Sequence, residues 1–446
     1  MSLGTAGTAT RELSLPQRWV VLAAAFAGWM FAGMEIALFV LIHRPAMVSL
    51  LGGGAPGAAV DETLVTQWFA WYQAAFLFGA ASGGWVFGWL GDRFGRTQSL
   101  AWSVLCYSLF TGVCYFATSP WELLALRFVA CHGVGGAWPS TVALVAEAWP
   151  AASRPFLAGL LGTAANVGQV LMGVVGLTAA VTAESWRWVF LVGAAPAVLG
   201  AWCLGSVPES VKWLSSRSQP KPAGGGPLSE LFRPPLRGRL VIGVLLGSIP
   251  VIGTAANAQW IVPWTDQVAA QERERAAADP TKVAFAPPKA DPKSKARTQI
   301  ARSGGAVFGS LMGGILATLL GRRTTYFLIS LLSLAASTFV FGWLHPTHPW
   351  FYPASFGFGL VGVIYFGWLP LYLPELFPTR VRATGTGISF NTGRVIAAFV
   401  VLGTGVLVQL FGGNYAKIGL WTGLIYAVGL VIILFAPRTD GGSLKD

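Results

Sequence analysis

The sequence predicts an all-α polytopic membrane protein: twelve transmembrane helices in two pseudo-symmetric six-helix bundles. Three observations carry that prediction. Of 446 residues only 11% are charged and 54% are hydrophobic, with a mean hydropathy of +0.60, whereas a soluble globular domain carries about 25% charged residues. Apolar runs long enough to cross a bilayer, about 20 residues as helix, recur along the whole chain. Landmarks of the first half return in the second half in the same order, the mark of a two-halved transporter.

On that ruler the first six spans are 19–42, 67–88, 98–117, 121–146, 156–181 and 186–206. The second six are 239–263, 297–320, 324–344, 350–373, 384–411 and 415–436. A tail, 1–18, carries Arg11, Glu12 and Arg18 before the first run. No small-residue cleavage site follows that run, so it reads as a retained span. The bundles are then 19–206 and 239–436, joined by a linker, 207–238, with a second tail at 437–446. Residues 217–227, rich in Pro and Gly, mark the boundary.

Net charge is +12, but the basic residues lie in short loops between apolar runs, which reads as orientation charge and not as a nucleic-acid surface. With both termini cytoplasmic, inner turns hold Arg93, Arg96, Arg154, Arg322, Arg323, Arg380 and Arg382, and the linker adds Lys212, Arg217, Lys221, Arg233 and Arg237. Outer loops hold Arg44, Arg187 and Lys417. The outer segment 266–296 is of mixed sign and reads as a solvated spacer. The four Cys residues (Cys106, Cys114, Cys131, Cys203) lie inside apolar runs without metal or redox spacing, and read as small apolar fillers. No metal or cofactor is expected.

The strongest local signal is the turn Gly88-Trp-Leu-Gly-Asp92-Arg93-Phe-Gly95-Arg96-Thr97. Three charges so close together cannot lie in hydrocarbon, so the turn belongs at a membrane face, and its glycines permit a sharp reversal and close helix approach. Gly314 to Thr324 echoes it. Glu147-Ala-Trp-Pro150 with Arg154 is matched by Glu375-Leu-Phe-Pro378 with Arg382, and Asn166-Val-Gly168-Gln169 by Asn391-Thr-Gly393-Arg394.

On these residues the chain resembles the major facilitator superfamily along nearly its whole length. The Gly88 turn resembles the superfamily's signature loop between spans two and three. Arg127 to Pro139, with Gly133, Gly135 and Gly136, is similar to the glycine-rich fourth span of the sugar-porter and metabolite:proton symporter branches, except at Cys131 and Ala137. Pro208-Glu209-Ser210 and Glu375-Leu-Phe-Pro378-Thr-Arg380-Val-Arg382 resemble motifs those branches carry after spans six and ten. Residues 28–35 resemble a stretch that often holds two acids; here Ala32 lacks the first and Glu35 keeps the second. The resemblance implies the major facilitator fold, a structural role for Arg127, and a monomer.

Three groups of residues could serve function. Asp92, Arg93, Arg96, Glu147, Arg154, Glu209, Glu375, Arg380 and Arg382 read either as topology signals or as a cytoplasmic lock in which Arg forks grip carboxylates when the inner mouth is shut. The second-half turn has Thr318 in place of Asp92, so the lock is expected to be asymmetric. Glu35, at membrane depth, reads as a proton-coupling carboxyl or as the partner of an Arg. Arg394 reads as a site for a substrate carboxylate or as a packing bond to carbonyls, and His132 as packing more than chemistry. Asn166, Gln169, Asn257, Gln259, Trp260, Asn391, Tyr365 and Trp138 are cavity candidates, with inter-helix glue as the plain alternative. Pro139, Pro250, Pro263, Pro370 and Pro374 bend spans four, seven and ten.

No nucleotide-binding loop, metal cluster or catalytic triad appears, which disfavours a pump or a membrane enzyme. The leading expectation is a secondary active transporter in a bacterial inner membrane, moving an organic anion with protons by alternating access. A sugar or polyol porter is the alternative, and a transporter-like nutrient sensor is the reading from another class.

Overall fold

The computed structural model describes residues 13–52, 60–149, 154–216, 230–278, 293–378 and 381–439. Among them twelve helices are long and apolar enough to cross a membrane. The first half contains α1 (Leu15–Leu51), α2 (Glu62–Phe94), α3 (Arg96–Val113), α4 (Pro120–Ala148), α5 (Arg154–Thr178) and α6 (Trp188–Ser206). The second contains α7 (Leu236–Glu272), α8 (Ser294–Leu319), α9 (Arg322–Trp343), α10 (Phe351–Glu375), α11 (Arg382–Leu410) and α12 (Tyr415–Phe435). This is the major facilitator fold expected from the sequence.

Local chemistry sets several boundaries. The Asp61 carboxylate accepts from Thr63 N–H at 2.8 Å and caps α2. Ser119 caps α4 by accepting from Glu122 N–H, with Pro120 in the first turn where its missing N–H costs nothing. Asn414 caps α12 through Lys417 N–H. The α2–α3 and α8–α9 turns both pass through a glycine of positive φ, Gly95 (125°) and Gly321 (83°), a backbone region other residues enter only with strain. The two halves therefore reverse direction by the same device.

Small residues set the packing. Cβ atoms at Gly83 or Gly135 would overlap the carbonyl oxygens of His132 and Ala80, so α2 and α4 meet backbone to backbone. In the second half Gly305, Gly309 and Gly313 of α8 stand in the same relation to carbonyls of α10. Close approach of this kind is how helices associate where lipid tails supply no hydrophobic drive. Gly133 packs against Ser103 and Tyr107 of α3. Gly88 is different: a side chain there would meet nothing nearby, so close approach does not explain this glycine.

Two elements depart most from the sequence-based bounds. The first helix runs on through Pro45 to Leu51. The segment expected as the outer loop 266–296 is largely ordered at its ends: helix continues over Ile261–Ala278 and resumes at Ser294. Pro250 removes a backbone donor within α7, and the helix then passes through a π turn at Gly253–Asn257 and a 3-10 turn at Ala258–Trp260. Pro196 breaks α6 between Ala194 and Ala197.

Gly135→Ala is expected to cost about 1–3 kcal/mol of overpacking, read as a lower melting temperature of the detergent-solubilised protein. A melting temperature equal to wild type would contradict the backbone contact of α2 and α4.

Candidate functional site

Both signature turns lie at one end of the bundle, and each carries the same ion pair. Arg96 Nε lies 3.3 Å from Glu147 Oε1, and Arg322 Nη2 lies 2.9 Å from Glu375 Oε1, with Nε also donating to this carboxylate. Each joins the turn to the following even-numbered helix of its own half. In the first half the cluster extends further: Ser210 Oγ donates to Glu147, and Glu209 accepts from the N–H groups of Arg96 and Thr97 at the N-terminus of α3, where a carboxylate meets the helix dipole. In the second half Thr439 Oγ1 donates to Glu375 and Arg323 donates to the Ala436 carbonyl. Arg322, Ser210 and Thr439 were not on the sequence-based list. Arg93 lies outside the cluster, its guanidinium over the rings of Trp89 and Phe94. The side chains of Asp92, Arg154 and Arg382, and all of Arg380, are outside the described residues. Among the described residues, then, the lock pairs operate within each half; none bridges the two.

Charged contacts between the halves lie at the opposite end. Arg44 of α1 pairs with Glu62 of α2 and approaches Asp266 of α7 at 4.0 Å. Lys295 of α8 lies 3.6 Å from Asp266 and donates to the Val181 carbonyl of the first half at 2.8 Å. Gln267 donates to the Gly413 carbonyl. Beneath this layer Trp260 packs on Phe69 with ring centroids 4.7 Å apart. Asp266 and Lys295 bound a segment that composition marks as a spacer; folding places both in this seal.

At membrane depth in the first half Glu35 is fully buried with Arg127. Arg127 Nη1 donates to Glu35 Oε2 at 2.9 Å, Nη2 to the Glu35 carbonyl at 2.6 Å, and Thr111 Oγ1 to Oε2 at 2.7 Å. Glu35 Oε1 is buried without a partner. A cavity of about 10 Å³, lined by Ile36, Phe39, Tyr72, Gln73, Phe76 and Arg127, adjoins the pair; that is room for about one water.

The polar residues at the seam between halves fall into two groups. Where α5 meets α8, Gln169 Oε1 accepts from Arg302 Nη2 at 2.9 Å, Ser303 Oγ at 3.2 Å and Gln299 Nε2 at 3.4 Å. Where α2 meets α11, Arg394 Nη1 donates to the Ala80 carbonyl at 3.3 Å and to Asn391 Oδ1 at 3.4 Å, with its guanidinium over Phe390. Sequence reasoning passed over Arg302, Gln299 and Ser303.

The remaining candidates divide plainly. Asn257 is satisfied inside the second half, donating to the Gly419 carbonyl and Thr422 and accepting from Ser337. Tyr365 donates to Ser330 in the same bundle. Asn166 bonds back to the Gly162 carbonyl of its own helix. Trp138 packs on Trp29, and His132 bonds Ser82 and the Phe128 carbonyl. Trp260 donates to the Ala256 carbonyl of its own helix. Gln259 is buried with its Oε1 unpartnered.

The family described as sugar (and other) transporters matches residues 24–225. Among characterised relatives, a probable 4-methylmuconolactone transporter of Cupriavidus pinatubonensis is 27% identical over 97% of this chain and 93% of its own. The niacin transporter NiaP of Acinetobacter baylyi is 26% identical over 94% of each chain. The cis,cis-muconate transport protein of the same organism is 25% identical over 80% of this chain and 83% of its own. Among solved structures, the partially occluded inward-open xylose transporter XylE of E. coli superimposes with a TM-score of 0.73 at 17% identity, over 96% of this chain and all of that one. The first half of the chain thus resembles the sugar (and other) transporter family, and the whole chain has the major facilitator fold of a multi-pass membrane protein. The resemblance is to the sugar-porter-like branch of the major facilitator superfamily.

Asp266→Asn is expected to loosen the seal opposite the signature turns. In that background Thr66→Cys, at a fully buried position beside Gly413, is expected to react several-fold faster with a membrane-impermeant maleimide. An unchanged rate would remove the sealing role of Asp266.

Proposed function

We propose that this chain is a secondary active transporter that carries a small organic acid together with protons, its two bundles (19–206 and 239–436) rocking about a site between them. The observation that carries the reading is the balance of charge at membrane depth. Glu35 is taken up by Arg127, whereas Arg302 and Arg394 reach the seam with no carboxylate paired to either among the described residues. Two guanidinium groups at the seam without counter-ions favour an anionic cargo, with the amides of Gln169 and Asn391 beside them. The functions of relatives, niacin and cis,cis-muconate transport, support the same class.

Charge contacts between halves at the Arg44 end, together with pairs kept within each half at the signature-turn end, support an inward-facing state. The orientation proposed is signature turns and both termini in the cytoplasm of a bacterial cell, with the carrier acting as a monomer. Glu35 is proposed as the proton site: one of its oxygens has no donor, and a cavity adjoins its Arg127 partner.

The test is uptake into proteoliposomes from a panel of labelled organic acids and sugars, with and without a pH gradient. Wild type is expected to accumulate an acid only with the gradient. Glu35→Gln is expected to abolish accumulation while sparing acid exchange; equal loss of both would make the Glu35–Arg127 pair purely structural. Accumulation of a neutral sugar instead would replace the organic-acid reading.

A further inference from the structure

We infer that Arg302, with Ser303 and Gln299 of α8 and Gln169 of α5, forms the subsite that takes the carboxylate of the transported molecule. This rests on the organic-acid reading above and deepens it. Arg302 is 4% exposed, its Nε is buried without a partner, and its side-chain hydrogen bond goes to one amide oxygen. An unpaired cation at that depth costs several kcal/mol, so a residue kept only for packing would not be Arg.

The cluster is also short of acceptors. Gln169 Oε1 receives Arg302 at 2.9 Å and Ser303 at 3.2 Å, with a longer contact of 3.4 Å from Gln299, whose shorter bond goes to Ser303 Oγ at 2.7 Å; an amide oxygen offers only about two lone pairs. A carboxylate offers about four acceptor sites in a plane that matches the guanidinium fork. Gln169 Oε1 therefore occupies the place of a substrate oxygen, and a carboxylate entering from the seam would take over the Arg302 and Ser303 donors. Gln299 Oε1, buried without a donor, leaves an acceptor for a water or a substrate hydroxyl.

The position suits alternating access. Gln169 belongs to the first half and Arg302 to the second, and the two meet at the α5–α8 seam. A carboxylate held on Arg302 breaks a bond between halves when it binds and restores one when it leaves. Arg394 differs, since its strongest partner is a backbone carbonyl that no ligand needs to displace.

The experiment measures thermal stabilisation of the full chain in detergent by nicotinate, cis,cis-muconate and the uncharged nicotinamide, for wild type, Arg302→Gln and Arg302→Lys. Acids are expected to raise the wild-type melting temperature and nicotinamide to leave it unmoved. Arg302→Gln is expected to melt higher than wild type without ligand, because the unpaired charge is gone. It is expected to bind acids about tenfold more weakly or worse, the size of a lost charged hydrogen bond. Arg302→Lys, which keeps the charge and loses the fork, is expected to fall between; should Arg302→Gln not fold, this variant decides. Acid affinity unchanged in either variant overturns the subsite and leaves the organic-acid reading standing. An Arg302→Gln variant that melts lower than wild type without ligand marks Arg302 as structural and overturns the subsite too. If no acid stabilises wild type, the organic-acid reading falls and the subsite with it.

Discussion

A guanidinium at membrane depth must find an acceptor, and three deep arginines among the described residues meet that demand in three ways. Arg127 has a carboxylate, Glu35, gripped through both side chain and backbone. Arg394 has a carbonyl on the opposing half and an aromatic face. Arg302 has an amide oxygen shared with two other donors. The order of these solutions is also an order of decreasing satisfaction. Breaking the first pair would strand a charge at a cost of about 3–5 kcal/mol, which binds α1 to α4 within one bundle. The last leaves donors to spare, and it sits where the bundles meet.

That gradient follows from how the helices pack. Within a bundle, glycines bring α2 to α4 and α8 to α10 at backbone contact, which leaves little room for solvent and favours polar groups matched inside. Between bundles, polar contacts at Gln169 and Arg394 lie alongside apolar ones such as Phe69–Trp260. Asn257, matched on both its oxygen and nitrogen, therefore belongs to the permanent interior of one half, while Gln169 and Asn391 belong to the seam. The ion pairs obey the same logic: Arg96–Glu147 and Arg322–Glu375 fasten each half, and the Arg44–Asp266–Lys295 group spans both.

The repeat was legible because its chemistry is local. A glycine that must adopt positive φ, an Arg one residue later and a Glu at the end of the next even helix appear in both halves, and they fold into matching pairs. Arg302 was hidden for a physical reason. It falls near the start of the expected span 297–320, where a cation reads as an interfacial anchor, and only the extension of α8 back to Ser294 carries it inward. Its partner is 133 residues away, beyond the reach of any periodicity. Asp266 and Lys295 were hidden by composition: a mixed-sign segment rich in Pro and Ala reads as a spacer, yet its two helical ends fold against opposing charges.

The proposed sites also divide the work between bundles in a way that charge balance makes useful. Glu35 and Arg127 together are neutral, so the first half presents no net charge to a closing cavity while that pair is intact. The second half presents Arg302 and Arg394, neither paired with a carboxylate among the described residues. An empty carrier would have to occlude both cations, whereas a carrier loaded with a carboxylate on Arg302 would occlude one fewer, and the penalty for burying the site would fall by several kcal/mol. In the proposed cycle, loading would favour passage through an occluded state by differential stabilisation, with no special contact required. Protonating Glu35 shifts the balance the other way by freeing Arg127, and linkage requires any effect of the proton on acid binding to be returned equally by the acid on the proton. Coupling then needs no direct bridge between the two sites, only a shared closed state in which the sum of buried charge decides the cost.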